Sequence, residues 1–100
     1  MRLLVVEDES LLRQQLEQGL SNQGFVVDVA EDGKAGLYFS TEYAYDAAII
    51  DLGLPEIDGI SLIEQIRGAD KQFPIALTFF TFVSLNHAFI TNASFTDKQY

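Results

Sequence analysis

LLVVEDE, residues 3–9, is a short apolar run that ends abruptly in three acidic residues. An uninterrupted apolar run of this length is typical of a strand that is buried on both faces of a parallel sheet. From Ser10 to about Asn22, leucines recur at every fourth position between polar residues, which predicts an amphipathic helix. The beginning of the chain therefore predicts a strand that is followed directly by a helix.

The alternation of strands and helices continues through about residue 72. Because parallel strands need crossover connections, this alternation predicts an α/β fold with a doubly wound, flavodoxin-like parallel sheet. The later predicted elements are a strand at 25–29, a helix at 35–41, a strand at 47–51, a helix around Leu62, Ile63 and Ile66 that ends near Gly68, and a strand at 73–77. The first and third strands should be neighbours, with their carboxyl ends at one edge of the sheet.

Composition narrows the range of functions. The 100 residues suit one domain, and 48% of them are apolar, which is typical of a chain that folds. Acidic residues outnumber basic ones by 15 to 6, and the resulting net charge of −9 argues against direct binding of nucleic acid. The sequence has no cysteine and no apolar stretch that could span a membrane, so we expect a cytoplasmic protein without a membrane partner.

Acidic side chains end both of the predicted strands that should be neighbours. Glu7 and Asp8 follow the first strand, and Asp51 ends the third. Carboxylates that converge in one pocket repel one another unless a cation is present, and the chemistry of this group favours Mg²⁺. Aspartate can itself act as a nucleophile towards phosphorus and form an aspartyl phosphate. The alternative is a structural role, in which Asp8 or Glu9 caps the first helix.

Two motifs in this chain resemble those of receiver domains from two-component response regulators. They are Val5-Val6-Glu7-Asp8-Glu9 and Ile49-Ile50-Asp51-Leu52-Gly53-Leu54-Pro55-Glu56-Ile57-Asp58-Gly59. Their order and separation also match that family. The residues in both motifs are most similar to those of the OmpR class, especially its PhoP-like members. The resemblance covers residue 1 to about residue 77 and implies a CheY-like fold.

The resemblance implies a phosphorelay signalling domain and not an enzyme. It implies that Asp51 accepts a phosphoryl group from a sensor histidine kinase, that Asp8 binds Mg²⁺ directly, and that Glu7 supports the ion through water. The backbone carbonyl of Gly53 would complete the protein's share of the metal ligands. In full-length relatives the output is control of transcription.

The same resemblance assigns structural roles in the loop after the acceptor. Pro55 and Gly59 would shape this loop without touching phosphate, and we expect glycine at position 59 because it permits backbone torsions closed to other residues.

The end of the chain departs from the family pattern. Receivers carry a Thr or Ser at the end of the fourth strand, and counting from residue 73 puts that position at Phe79, with Thr78 one residue early and Thr81 two residues late. Thr78 is the best candidate for a phosphate contact if the strand is shorter, and a packed strand-end residue is the alternative. Receivers also carry a Lys at the end of the fifth strand, and Lys98 lies too close to Thr78 to match it. The single histidine, His87, is expected to be structural.

We therefore divide the chain into a receiver at residues 1–77 and an atypical tail at residues 78–100. Residues 73–100 hold six of the eight phenylalanines and show no helical or alternating period, as a changed reading frame near residue 76 would produce. The sheet is expected to be incomplete at its carboxyl-terminal side, with no DNA-binding domain present. Dimerisation cannot be inferred, because the elements that relatives use for it are altered or absent here.

Two other functions remain open from the sequence. One is a nonfunctional or pseudo-receiver truncation that keeps the acidic pocket only by descent, and it is favoured by the missing lysine. The other is a magnesium-dependent phosphatase, which needs a second Asp two residues after the nucleophile, where this chain has Gly53.

Overall fold

The computed structural model describes residues 1–78 and the backbone of one further strand at residues 93–96. Its elements, in chain order, are β1 (Arg2–Val6), α1 (Ser10–Asn22), β2 (Val26–Ala30), α2 (Gly33–Glu42), β3 (Ala47–Asp51), α3 (Gly59–Gly68), β4 (Ile75–Thr78) and β5 (Ala93–Thr96). The predicted bounds of α1 agree with the structure, while β4 begins at Ile75 and not at Phe73.

The strands form one sheet in the order β2-β1-β3-β4-β5, and the pairs among β1 to β4 are all parallel. The prediction of a flavodoxin-like, doubly wound sheet is therefore confirmed. The β1 strand lies between β2 and β3, and its residues Leu3 to Val6 are at most 6% exposed. An apolar run without alternation is expected for a strand that is covered on both faces.

A fifth strand lies beside β4, although the sequence shows no periodic segment that would form it. This strand, β5, pairs antiparallel with β4, with Leu77 opposite Phe95 and a register shift next to Thr78. Backbone hydrogen bonds at a sheet edge place weak demands on side-chain pattern, which explains why the sequence shows no periodic signal there.

The two faces of the sheet carry separate hydrophobic clusters. One face packs against α2 and α3 through residues that include Val6, Ile50, Leu62 and Leu77. The opposite face packs against α1 through a smaller cluster of Val5, Leu12 and Leu16, with Val27, Val29, Leu20 and Ile49 partly buried around it. Because side chains alternate along a strand, the face on which a residue lies also gives the face of the residue two positions later.

Among the described residues, no helix has the length and the apolar character needed to cross a membrane.

Candidate phosphoryl-acceptor and metal site

The three acidic side chains predicted to converge do so at the carboxyl edge of the sheet. Glu7 follows directly after β1 and Asp51 ends β3, and the parallel register pairs Val6 with Ile50 just before them. One carboxylate oxygen from each of Glu7, Asp8 and Asp51 lies within 4.8 Å of the others. Strand order and register bring Asp51, which is distant in sequence, beside the consecutive residues Glu7 and Asp8.

Strand alternation places Glu7 and Asp51 on the α1 face of the sheet. Val5 and Ile49, two residues before each acid, both pack in the cluster formed with α1. The period of two along a strand then directs Glu7 and Asp51 to the same face. The two acids therefore lie on the sheet face that α1 covers, at the edge where the chain leaves β1 for α1.

Of the two proposed caps for α1, Glu9 is the one that caps the helix. Its carboxylate accepts hydrogen bonds from the backbone N–H groups of Leu11 at 3.2 Å and Leu12 at 2.9 Å. Asp8 is exposed and lies in the acidic cluster. The amino-terminal N–H groups of α1 thus have an acceptor in Glu9. Asp8 is not needed as a cap, and its carboxylate is available to a cation.

Glu7 is a buried acid that is only partly satisfied. It is 3% exposed, and its Oε2 accepts a hydrogen bond from the Glu9 N–H at 3.1 Å. Its Oε1 is buried without a hydrogen-bond partner among the described residues. Removal from water raises the pKa of Glu7 to about 8, and the nearby charge of Asp51 acts in the same direction.

Asp51 is also largely withdrawn from water, with 8% of its surface exposed. Burial raises the pKa of Asp51 above its usual range, while a hydrogen bond from the Gly53 N–H to Oδ1, at 3.1 Å, opposes that rise. The bond holds one carboxylate oxygen of Asp51 in place. One oxygen of the Asp51 carboxylate lies within 4.8 Å of an oxygen of Glu7 and of Asp8, in a position to act as a nucleophile or a ligand.

The donor set fits a hard divalent cation. Three carboxylates within 4.8 Å carry more negative charge than the site can hold without a counterion or a proton, and the unpartnered Glu7 Oε1 points to the same need. Oxygen-only ligation suits Mg²⁺ better than zinc or copper. The role of the Gly53 carbonyl as a further ligand stays a prediction.

Thr78 lies beside Asp51 in the sheet. The two residues are register partners in the β3–β4 pair, and the Leu52 N–H donates to the Thr78 carbonyl at 2.7 Å. Leu77 packs on the α2–α3 face, so alternation directs Thr78 to the face of Asp51. Thr78 is the last residue of the described part of β4, and its side chain, 3% exposed, lies at the acidic edge.

Position 59 needs glycine because a Cβ atom would have no room there. The expectation from the sequence, that glycine is needed for an unusual backbone torsion, is wrong. Gly24 is the only glycine with positive φ in the described part of the chain. A Cβ atom at Gly59 would lie 2.5 Å from the Asp51 carbonyl oxygen and 2.9 Å from the Leu52 Cα. The first residue of α3 therefore packs directly against the backbone of the acceptor. Pro55 lies exposed in the same loop, and its carbonyl accepts from the Ile57 N–H at 2.7 Å.

Arg13 was missed by the sequence analysis, which counted it only among the polar residues of α1. Its guanidinium donates to the backbone carbonyls of Glu7 and Asp8. Arg13 lies five residues after Asp8, at the end of the first turn of α1, and this spacing could have drawn attention to it.

Four residues considered in the sequence lie outside the described residues. They are Phe79, Thr81, His87 and Lys98.

Comparison with known proteins identifies the family. The model of the response regulator receiver domain matches residues 3–91. The two-component response regulator PhoP of Pseudomonas aeruginosa is 51% identical over 77 residues, which are 77% of this chain and 34% of that protein. The chain thus spans about a third of the length of this curated relative.

Solved structures agree with this match. The receiver domain of a Francisella response regulator superposes with a TM-score of 0.76 at 26% identity, over 95% of this chain and 79% of that one. The response regulator TrrA of Thermotoga maritima, solved in complex with Mg²⁺ and BeF, gives a TM-score of 0.75 at 30% identity, over 93% and 81% of the two chains.

These matches favour a receiver over a nonfunctional truncation. The chain belongs to the response regulator receiver domain family.

Proposed function

We propose that this receiver takes part in phosphorelay signalling by accepting a phosphoryl group on Asp51 from the phosphohistidine of a sensor kinase. The observation that carries the proposal is the position of Asp51, which ends a central strand and faces two further carboxylates within 4.8 Å. An acid in this setting combines a nucleophilic oxygen with the means to bind a cation next to it.

The transfer follows from the contacts of the Asp51 carboxylate. Its Oδ1 is held by the Gly53 N–H, so Oδ2 attacks the phosphorus atom. The new O–P bond forms as the P–N bond to the kinase imidazole breaks, and the electron pair of that bond stays on the imidazole nitrogen. The products are an aspartyl phosphate and a histidine that takes up a proton from water.

Asp8 and Asp51 would hold Mg²⁺ directly through their carboxylates, with the Gly53 carbonyl as a further ligand. The ion supplies charge neutralisation for the phosphoryl oxygens when it is bound. The three neighbouring carboxylates support this assignment, as does the likeness to TrrA, whose structure contains Mg²⁺ and BeF. Glu7 reaches the ion through water in this proposal.

Two further parts of the edge have assigned roles. The Thr78 hydroxyl donates to a phosphoryl oxygen, a role supported by its register pairing with Asp51 on the same sheet face. Pro55 and Gly59 shape the loop after the acceptor, which the close approach of Gly59 to the Asp51 backbone supports.

The response itself is proposed to be control of transcription in the cytoplasm. Curated relatives include virulence transcriptional regulators, of which this chain covers 34%. A net charge of −9 makes the chain a poor ligand for DNA, so phosphorylation would act through another domain or protein.

Acetyl phosphate can replace the kinase in a direct test. The protein is incubated with acetyl phosphate and Mg²⁺, and its intact mass is then measured. We expect a labile adduct of one phosphoryl group that is absent in Asp51→Asn, because an amide oxygen is a far weaker nucleophile than a carboxylate. Asp70→Asn is the control, since Asp70 is exposed at the end of α3 and should leave labelling unchanged. Labelling that persists in Asp51→Asn would place the acceptor elsewhere.

A further inference from the structure

Arg13 connects α1 to the loop that carries two of the acidic residues. It lies in the first turns of α1 and is partly buried. One guanidinium nitrogen, Nη1, donates to the Glu7 carbonyl at 3.0 Å and to the Asp8 carbonyl at 3.3 Å. A single planar group therefore bridges the backbones of two consecutive residues of the site.

The charge of Arg13 is directed at carbonyl groups and not at the acids themselves. Within residues 1–78, the recorded ion pair is between Arg2 and Asp28, and none involves Arg13. An arginine paired with Glu7, Asp8 or Asp51 would occupy the ligands and compete with a cation. Bonding to carbonyl oxygens organises the loop while the three carboxylates stay available.

The loop is held from both sides by this arrangement. Glu9 accepts from the backbone of α1, Glu7 Oε2 accepts from the Glu9 N–H, and the Glu7 N–H bonds to the Ala30 carbonyl of β2 at 3.0 Å. Arg13 adds two side-chain hydrogen bonds from the end of the first turn of α1. Loss of these donors would free the peptide units that aim the Glu7 and Asp8 side chains.

We propose that Arg13 is a positioning residue that holds the backbone of Glu7 and Asp8 in the metal-binding arrangement before a cation binds. This inference rests on the proposed magnesium site. Such positioning raises the affinity for Mg²⁺, because a ligand group that is already in place loses less conformational entropy when the cation binds. The two N–H groups of Nη1 lie in the fixed plane of the guanidinium and serve both carbonyls, whereas the ammonium group of lysine is a point charge on a flexible stem.

Charge and positioning predict opposite effects on affinity, which makes the inference testable. If Arg13 acted only through its positive charge, Arg13→Gln would bind Mg²⁺ more tightly and Arg13→Lys would behave as the wild type. If Arg13 positions the loop, both variants bind more weakly, by roughly 10-fold to 100-fold, as is found for outer-shell partners of metal ligands. Lys34→Gln removes the same charge from an exposed site at the start of α2 and serves as the matched control.

The experiment measures the Mg²⁺ dissociation constant by calorimetry for the wild type and the three variants, with thermal melting to verify folding. Hydrogen exchange of the amides of residues 7–12 is followed without metal, and we expect faster exchange in both Arg13 variants only. Unchanged exchange, or tighter binding by Arg13→Gln, would overturn the inference. If the wild type bound no Mg²⁺, the proposed function would fail, and the exchange rates would still decide whether Arg13 holds the loop.

Discussion

Glu7 and Asp51 lie side by side at the ends of neighbouring parallel strands, with carboxylate oxygens within 4.8 Å and almost no exposure to water. Two such acids cannot both remain charged at low cost without a cation. Burial raises the pKa of Glu7 from 4.5 to about 8, so Glu7 retains its proton at neutral pH in the metal-free protein. Cation binding must then displace this proton, and metal affinity becomes coupled to pH.

The first prediction concerns stability as a function of pH. Between about 4.5 and about 8, folded Glu7 holds a proton that unfolded Glu7 has lost. The folded state therefore binds more protons, and the free energy of unfolding falls as pH rises through this window without metal. Glu7→Gln should flatten this dependence and raise stability at the upper end. Denaturant titrations at several pH values measure both effects.

Glu64→Gln is the control for that series, because Glu64 is exposed on α3. It should reproduce the wild-type pH dependence. At the upper end of this pH window, saturating Mg²⁺ should raise the free energy of unfolding of the wild type more than that of Glu7→Gln. An equal fall in stability for Glu7→Gln and the wild type would show that Glu7 is not the titrating group.

The second prediction concerns the exposed ligand. Asp8→Ala removes an exposed carboxylate that does not cap α1, so Mg²⁺ affinity should fall roughly 10-fold or more with little change in folding stability. Calorimetry and a melting curve measure the two quantities. Asp70→Asn, at the far end of α3, should retain the wild-type affinity. An unchanged Mg²⁺ titration in Asp8→Ala would reject the ligand assignment.

The third prediction compares two glycines of the same helix. A Cβ at Gly59 would lie 2.5 Å from the Asp51 carbonyl oxygen, whereas a Cβ at Gly68 meets nothing within 4 Å. Gly59→Ala should therefore lower the free energy of unfolding by about 1–3 kcal/mol, as overpacking does. Gly68→Ala should leave stability unchanged or slightly higher, because Ala favours helix. Urea denaturation of both variants gives the comparison, and equal effects would contradict the steric argument.

The fourth prediction concerns a polar network at the opposite edge of the sheet. The Tyr45 hydroxyl donates to Asp28 Oδ2 at 2.7 Å, and Arg2 binds the same oxygen at 2.8 Å. Burial, and then the hydrogen bond to Asp28, raise the pKa of Tyr45 above its usual range. Tyr45→Phe should cost about 1.5–3 kcal/mol of stability, the range for hydrogen bonds to charged groups.

Tyr43→Phe is matched to this change. Tyr43 is 40% exposed and contacts Arg2 through its ring, which phenylalanine keeps. Loss of the Tyr43 hydroxyl in Tyr43→Phe should therefore change the free energy of unfolding little. If Tyr43→Phe and Tyr45→Phe had the same effect, the network around Asp28 would not be the source of the stability.

The order of elements and the location of the acidic site could be read from the sequence. Uninterrupted apolar runs such as Leu3 to Val6 and the four-residue spacing of leucines in α1 are local patterns that burial in this fold requires. Acids at the ends of adjacent parallel strands necessarily meet at one edge, so Glu7, Asp8 and Asp51 could be grouped in advance.

Other features depend on contacts between distant segments and have no local signature. The closeness of Gly59 to the Asp51 backbone, the bridge from Arg13 to the β1–α1 loop and the face occupied by Thr78 all follow from packing and register. The antiparallel addition of β5 depends on backbone pairing at the sheet edge. Sequence pattern determined the elements and the chemistry of this chain, whereas tertiary structure decided how its acids are buried, because desolvation and steric fit exist only once the segments are packed together.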